Sequence, residues 1–529
     1  MQSKFYVYKL AFIVSIGGLL LGISANVSGA SEFYRSYFDL KVGSFLEGLG
    51  VSIAMLATFI GNFNAGTISD KLGRKRALLL AAFLFSFCTL GSGLATNYTF
   101  FLISRFIGGL GIGISLLVVP MFIAEFSPQE KRGFLVSFNQ LNVGIGFLLA
   151  YLLNSIVVKN VSDPDLTWRW MLGVGFVFPA IYMVLMLFVP ESPRWLITKG
   201  KMDEARKIMS KMGGEAYAEK ELAEIQKAAG SGNHEKVSYG KLWSVLFSKP
   251  MRLVLLVGLS VAFFQMASGF NSVMFFVPRI FRMAGFGGSG SFFMSNLVGI
   301  TMVVMTVASM FAIDRLGRKP LLLIGVAIMA ISVLVSAWGF NTSSYKIEAN
   351  DLETIAASIE NTQEKQIVTT VLTKMQESEA TKELAFFNTF KNEILVAAGD
   401  TELADKIYSE QRGSLLDATI SINSVLVMIA ILGFVIGFSI SLGPITWALL
   451  SEIFPGQVRG LGMSIAGTLN ALTSFIVTTI FPIELEMIGS AATFFIYGAL
   501  LVIFIFMVIR WFPETKGKSL EEIEKMMVK

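Results

Sequence analysis

The chain has 529 residues, 54% of them hydrophobic and only 15% charged, against ~25% charged in an ordinary soluble domain. A water-soluble protein this apolar would have to hide most of its surface, whereas one solvated by lipid need not, and the small net charge of +5 points to no nucleic-acid partner. The single cysteine, Cys88, excludes an intramolecular disulfide, and the single histidine, His234, in a polar stretch, excludes a histidine proton relay or metal site inside the bilayer.

Spans of about 20 apolar residues are predicted at 9–30, 46–67, 77–95, 99–124, 134–157, 169–189, 252–279, 290–313, 320–339, 418–447, 459–485 and 489–511. The N-terminal segment Met1–Leu10 has two lysines and no cleavage pattern, so the first span is read as retained. Glycine is frequent inside the spans, as in Gly108-Gly109-Leu-Gly111-Ile-Gly113, which predicts close helix packing. Between the sixth and seventh spans, residues 195–250 are polar, with helical stretches at Met202–Met212 and Ala216–Ala229, and read as short helices under the bundle. Between the ninth and tenth, residues 340–417 are acidic and lack any span-length apolar run. Helical patterns appear there at Asp351–Glu360 and Glu383–Ala398. The domain reading is therefore 1–194 and 251–339 with 418–529 as two six-helix bundles, 195–250 as a linker, and 340–417 as an external insertion. This is an all-α membrane protein with twelve transmembrane helices.

The two halves repeat each other. Gly66–Lys75, with Asp70-Lys71-Leu72-Gly73-Arg74-Lys75, recurs as Asp314-Arg315-Leu316-Gly317-Arg318-Lys319. Glu125-Phe-Ser-Pro128 with Arg132-Gly133 recurs as Glu452-Ile-Phe-Pro455 with Arg459-Gly460, and Pro190-Glu191 through Arg194 recurs as Pro513-Glu514 through Gly517. Each copy sits between apolar runs, so each is a charged turn on one side of the membrane. Parallel repeats of about six spans are a transporter signature, with substrate held between the halves. The basic turns cluster on one side, which the positive-inside rule makes cytoplasmic along with both termini; an even span count puts the insertion outside.

These motifs, with Arg105-Phe-Ile-Gly-Gly, Trp168-Arg169-Trp170, Gln265 through Asn271, Gly443-Pro444-Ile-Thr-Trp447 and Ser451–Pro455, make the chain resemble the sugar porter family of the major facilitator superfamily over all but the insertion. The resemblance implies two bundles around a central cavity in the cell membrane, working by alternating access on a sugar or related polyol. No cofactor or metal is implied, and no catalytic activity.

Several residue roles are expected. A cytoplasmic gate is drawn from Asp70, Arg74, Glu125, Arg132, Glu191 and Arg194 in the first half and Asp314, Arg318, Glu452, Arg459 and Glu514 in the second, as ion pairs holding the bundles together when the cavity faces outward. A sugar needs groups that donate and accept, plus an aromatic plate. Gln140, Gln265, Asn271 and Trp447 match sugar-binding positions of the family, and Asn470 is a fifth candidate. A break at Ser268-Gly269 would turn both seventh-span amides toward the cavity. Phe275 and Phe276 stand where the family has paired tyrosines and are assigned to an outer gate. Met266, Met302, Leu442 and Ala471 replace more polar or aromatic family residues, which makes the pocket less polar. Where proton-coupled members carry an aspartate in the first span, this chain has Ser24, and the usual partner Arg105 remains. Facilitated diffusion is therefore favoured, with proton symport as the alternative and an organic-ion carrier behind it. A non-transporting sugar sensor is the reading from another class. The insertion is either a solvated cap or a site for assembly or an unidentified partner.

Overall fold

The structure is a computed structural model and describes residues 2–127, 132–219, 222, 239–357, 359, 361–376, 378, 380–455, 458–516, 522 and 526–527. His234 and most of the stretch expected to be helical at 216–229 lie outside the described residues. Among the described residues, twelve helices are long and apolar enough to cross a bilayer: Tyr6–Tyr37, Phe45–Leu72, Arg74–Gly93, Tyr98–Phe126, Phe134–Asn160, Pro164–Leu187, Lys249–Phe275, Val277–Ile313, Arg318–Thr342, Ser424–Ile453, Arg459–Met487 and Gly489–Trp511. An even number places both termini on one face, called here the terminal face, and the insertion on the other, the cap face.

The twin turns behave as their sequences require. Gly73 has φ +96° and Gly317 φ +93°, a region that a side chain rarely adopts. Each ends one span and begins the next. The glycine run of the fourth span packs closely on two sides. A β-carbon on Gly109 or Gly113 would meet the second span's carbonyl oxygens at 2.2 Å, and one on Gly111 would meet that of Ala81 in the third span at 2.5 Å. Small residues let the backbones meet.

Three of the described spans are broken, the eighth at Gly285, φ +83°. The seventh turns at Gly269, φ +80°, before a short helix Phe270–Phe275. The tenth breaks at Ser441, so Trp447 lies within the following helix Leu442–Ile453, not at the end of the span as the sequence suggested. The first span reaches Tyr37, beyond the expected boundary, because Glu32 and Arg35 find ionic partners there.

The halves meet along the second and eleventh spans and along the fifth and eighth. Ser52 and Thr479 hydroxyls lie 2.6 Å apart. Tyr151 donates to the Met274 carbonyl at 2.7 Å, and Asn296 to Ser155 at 2.9 Å. Among the described residues, the hydrogen bonds and ion pairs joining the halves lie between mid-membrane and the cap face.

The linker contributes helices Pro193–Thr198, Met202–Gly213 and Tyr239–Leu246, the first two sharing a small core of Leu196, Ala205 and Met209. The insertion runs from the end of the ninth span at Thr342 to the start of the tenth at Ser424. It folds into helices Ala349–Ala357, Thr362–Gln376, Glu383–Ala398 and Thr401–Thr419. Two short strands, which the sequence did not suggest, close its base: Ser344–Tyr345 pairs antiparallel with Ile420–Ser421.

Candidate functional site

Gln265 is buried in the seventh span. Its Nε2 donates to the Leu442 carbonyl at 2.7 Å, just past the break in the tenth span, and its Oε1 accepts from Asn470 Nδ2 at 2.8 Å. Asn470 also donates to the Ala262 carbonyl at 2.8 Å. Asn271 donates to Ser474 Oγ at 2.6 Å, and Ser474 approaches Met55 Sδ of the first half at 3.2 Å. Asn470 and Ser474 are four apart and so share one face of the eleventh span. The turn at Gly269 brings both seventh-span amides onto that face. In a straight helix residues 265 and 271 would point about 120° apart, onto different faces.

The other two candidates sit apart from this bonded group. Gln140 is half-buried in the fifth span, which the first span approaches so closely that a β-carbon on Gly22 would meet the Val143 carbonyl at 2.2 Å. Trp447 is 40% exposed, and a β-carbon on Gly467 of the eleventh span, about one turn before Asn470, would lie 3.8 Å from its ring. Phe275 packs edge-on against Phe147 of the first half at 5.9 Å, and Phe276 lies tilted beside Phe481 at 5.2 Å. Both phenylalanines are buried at the seam on the cap side.

Ser24 donates to the Leu21 carbonyl of its own helix at 2.6 Å. Arg105 is buried; it makes a long bond, 3.5 Å, to the Val51 carbonyl, and among the described residues its Nε has no partner. Among the described residues Arg105 has no carboxylate in ion-pairing range.

The charged motifs of the terminal face close within each half. Arg74 pairs with Asp70 at 3.0 Å and with Glu125 at 3.1 Å, and Ser192 donates to Glu125. Glu191 accepts the backbone N–H of Arg74 and Lys75 at 2.9 and 3.1 Å. The second half repeats this: Arg318 with Glu452 at 2.9 Å, and Glu514 with the N–H groups of Arg318 and Lys319 at 3.2 and 3.0 Å. A carboxylate thus caps the N-terminus of a span, where the dipole favours it. Arg459 donates to the Phe454 carbonyl, and Arg194 is exposed. The side chains of Arg132 and Asp314 lie outside the described residues. Among the described residues, the expected lock between halves is not formed in this conformation. The same charges brace the turn of each half against its own neighbouring spans, because the seam in this conformation is closed on the opposite face.

The closed seam on the cap face is ionic, which the sequence reading missed. Glu47, 1% exposed, accepts from Arg279 at 2.8 Å, Arg35 at 3.2 Å and the Gly43 N–H at 2.7 Å. Arg282 pairs with Glu32 at 2.8 Å and forks onto Asp417 of the insertion at 2.9 and 2.8 Å. Glu486 takes Arg412 and, at 3.6 Å, Arg279. The available signals were the Ser44-x-x-Glu47 helix start and the i, i+3 charge pairs Glu32/Arg35 and Arg279/Arg282 in otherwise apolar runs. In the insertion, burial pushes the Asp405 carboxyl up, but Lys41 and Lys391 overcome this and hold it below its ordinary range. Burial raises the Glu383 carboxyl, partly offset by two bonds from Ser490.

A family model described as "Sugar (and other) transporter" matches residues 10–358 and 407–527, leaving most of the insertion unmatched. The chain is 31% identical to an arabinose-proton symporter of Bacillus subtilis over all of this chain and 96% of that protein. It is also 31% identical to a D-xylose transporter of Levilactobacillus brevis, over 97% of this chain and 94% of that one. An inward-open structure of the xylose transporter XylE from E. coli superposes with a TM-score of 0.73 at 26% identity, covering 99% of this chain and all of that one.

Proposed function

This chain belongs to the sugar transporter family, and we propose that it carries a sugar or related polyol across the cell membrane by facilitated diffusion. The observation that supports this most is the amide group shared by the seventh and eleventh spans. Gln265, Asn271 and Asn470 are uncharged, able to donate and accept, and set in apolar surroundings. Such a lining suits a neutral hydroxylated solute, since buried polar groups left unpaired by a wrong substrate cost affinity. With Gln140 and Trp447 contributing from the fifth and tenth spans, the substrate would lie between the halves.

The basic turns place the terminal face in the cytoplasm. The ionic seam on the cap face then makes this an inward-facing state, and the cytoplasmic charge motifs act within each half to keep it rigid as it rocks. In the outward-facing state the same motifs would meet across the halves as a gate.

Proton coupling needs a group that changes protonation within the membrane. Serine at position 24 supplies none, and among the described residues Arg105 stands without a carboxylate in ion-pairing range. The second reading, proton symport, is favoured by the name of the arabinose-proton relative. Uptake of labelled pentoses, hexoses and polyols into proteoliposomes decides between them. Facilitated diffusion predicts equilibration that a protonophore leaves unchanged. Accumulation that collapses with the proton gradient would establish symport, and saturable sugar binding without any flux would make the protein a sensor.

A further inference from the structure

The insertion touches both halves, and it does so through the residues that hold the seam shut. Its last helix, Thr401–Thr419, lies across the junction. Toward the second half, Asp417 receives both prongs of Arg282, and Arg412 takes Glu486. Toward the first half, Asp405 binds Lys41 at 2.8 Å, and the Ser409 carbonyl accepts from Arg35 at 3.4 Å. Its other anchors belong to the second half. Glu383 binds Ser490 at the start of the twelfth span, Lys382 reaches the Asn341 carbonyl of the ninth, and both chain ends join that half.

We propose that the insertion is a third jaw of the outer gate, riding on the second half and clasping the first when the carrier faces inward. Arg282 is the hinge of this arrangement. Its remaining nitrogen grips Glu32 of the first span at 2.8 Å. A side chain as long as arginine loses much rotamer freedom on making such a bond, and Asp417 fixes its plane from the other side. Arg412 does the same indirectly, holding Glu486 beside Arg279, which grips Glu47. Asp417 and Arg412 are thus positioning residues for the two arginines that close the seam. A sugar on its way to the amides from the outside would require this clasp to release. The insertion therefore sets the balance between inward- and outward-facing states, which a solvated ornament would leave alone.

The proposal rests on the alternating-access reading, and the test separates the two. Spin labels at Lys159→Cys and Asn341→Cys, both exposed near the cap face on opposite halves, in a Cys88→Ser background, report the outer opening in the full-length protein. Asp417→Asn should raise the outward-open fraction roughly fivefold or more, the lower end of the change that one or two kcal/mol brings. It should also lower the half-saturating sugar concentration on the outside while raising it on the inside. Lys41→Gln, at a side chain 69% exposed and so little able to disturb folding, should move both readouts the same way by less, and Asp417→Glu should restore much of the native balance. If Asp417→Asn fails to fold, Lys41→Gln and Asp405→Asn decide alone. Two distance populations that none of these variants shifts would overturn the jaw and leave the carrier intact. A single population with and without sugar would overturn alternating access itself, and the jaw with it.

Discussion

Gln265 Oε1 and Asn470 Nδ2 are 2.8 Å apart, joining the seventh span to the eleventh inside the second half. The bond fixes the glutamine amide, whose Nε2 is held by the Leu442 carbonyl at the break of the tenth span. Three spans therefore set the orientation of one side chain. Asn470→Ala should cost ~1–3 kcal/mol, the penalty of a buried acceptor left without its donor, and should weaken sugar binding even though the asparagine donates to protein, to Gln265 and the Ala262 carbonyl. A cycle with Gln265→Ala should show a coupling of ~0.5–3 kcal/mol. Sugar-dependent thermal shifts of the four proteins measure it, and additive effects would mean that the two amides act separately.

Glu47 is the most enclosed acid of the seam. Glu47→Gln leaves Arg35 and Arg279 facing each other without their shared carboxylate. Breaking a buried pair from one side costs ~3–5 kcal/mol, so the purified protein should unfold at markedly lower temperature and label more readily at the cap face. Asp70→Asn is the control, since its side chain is 70% exposed and such pairs contribute ~0–1 kcal/mol.

Gly269 is constrained twice. Its φ of +80° is strained for any side chain, and a β-carbon there would lie 2.4 Å from the Tyr497 ring. Gly269→Ala should destabilise by ~1–3 kcal/mol from the backbone alone, and Tyr497→Ala added to it should relieve only the clash. Unfolding midpoints of the single and double variants test this. Full recovery in the double variant would show that the left-handed turn carries no strain.

Glu383 gives the insertion a pH dependence. Its carboxyl is raised above 4.5, chiefly by burial and in small part by Glu486, with the Ser490 bonds and Arg412 pulling the other way. The folded protein then binds the proton more tightly than the unfolded chain. Its contribution to stability is therefore full below about 4.5 and declines as pH rises through the folded-state value. Thermal unfolding between pH 4.5 and 8 should show a downward slope that Glu383→Gln reduces. An equal slope in both proteins would place the dependence elsewhere.

The sequence alone determined what local composition and repetition can determine. Apolar length made twelve spans, paired Asp-x-Leu-Gly-Arg-Lys turns made two halves, and positive-φ glycines at 73 and 317 followed from the need to reverse a chain at the membrane surface. The Gly269 break and the amides beside it were also legible, because an amide in an apolar run is conspicuous. The partners of charged side chains were decided only by the tertiary structure. Asp70, Glu125 and Glu452 read equally well as a lock between halves or as braces within one, since an ion pair depends on distances between segments remote in sequence. For the same reason the helix start at Ser44-x-x-Glu47 and the charges at Arg279 and Arg282 were visible one by one, but nothing local joined Glu47, Arg279 and Asp417 into one seam. Only the packing of the halves against each other, with the insertion laid across them, brings those charges within reach.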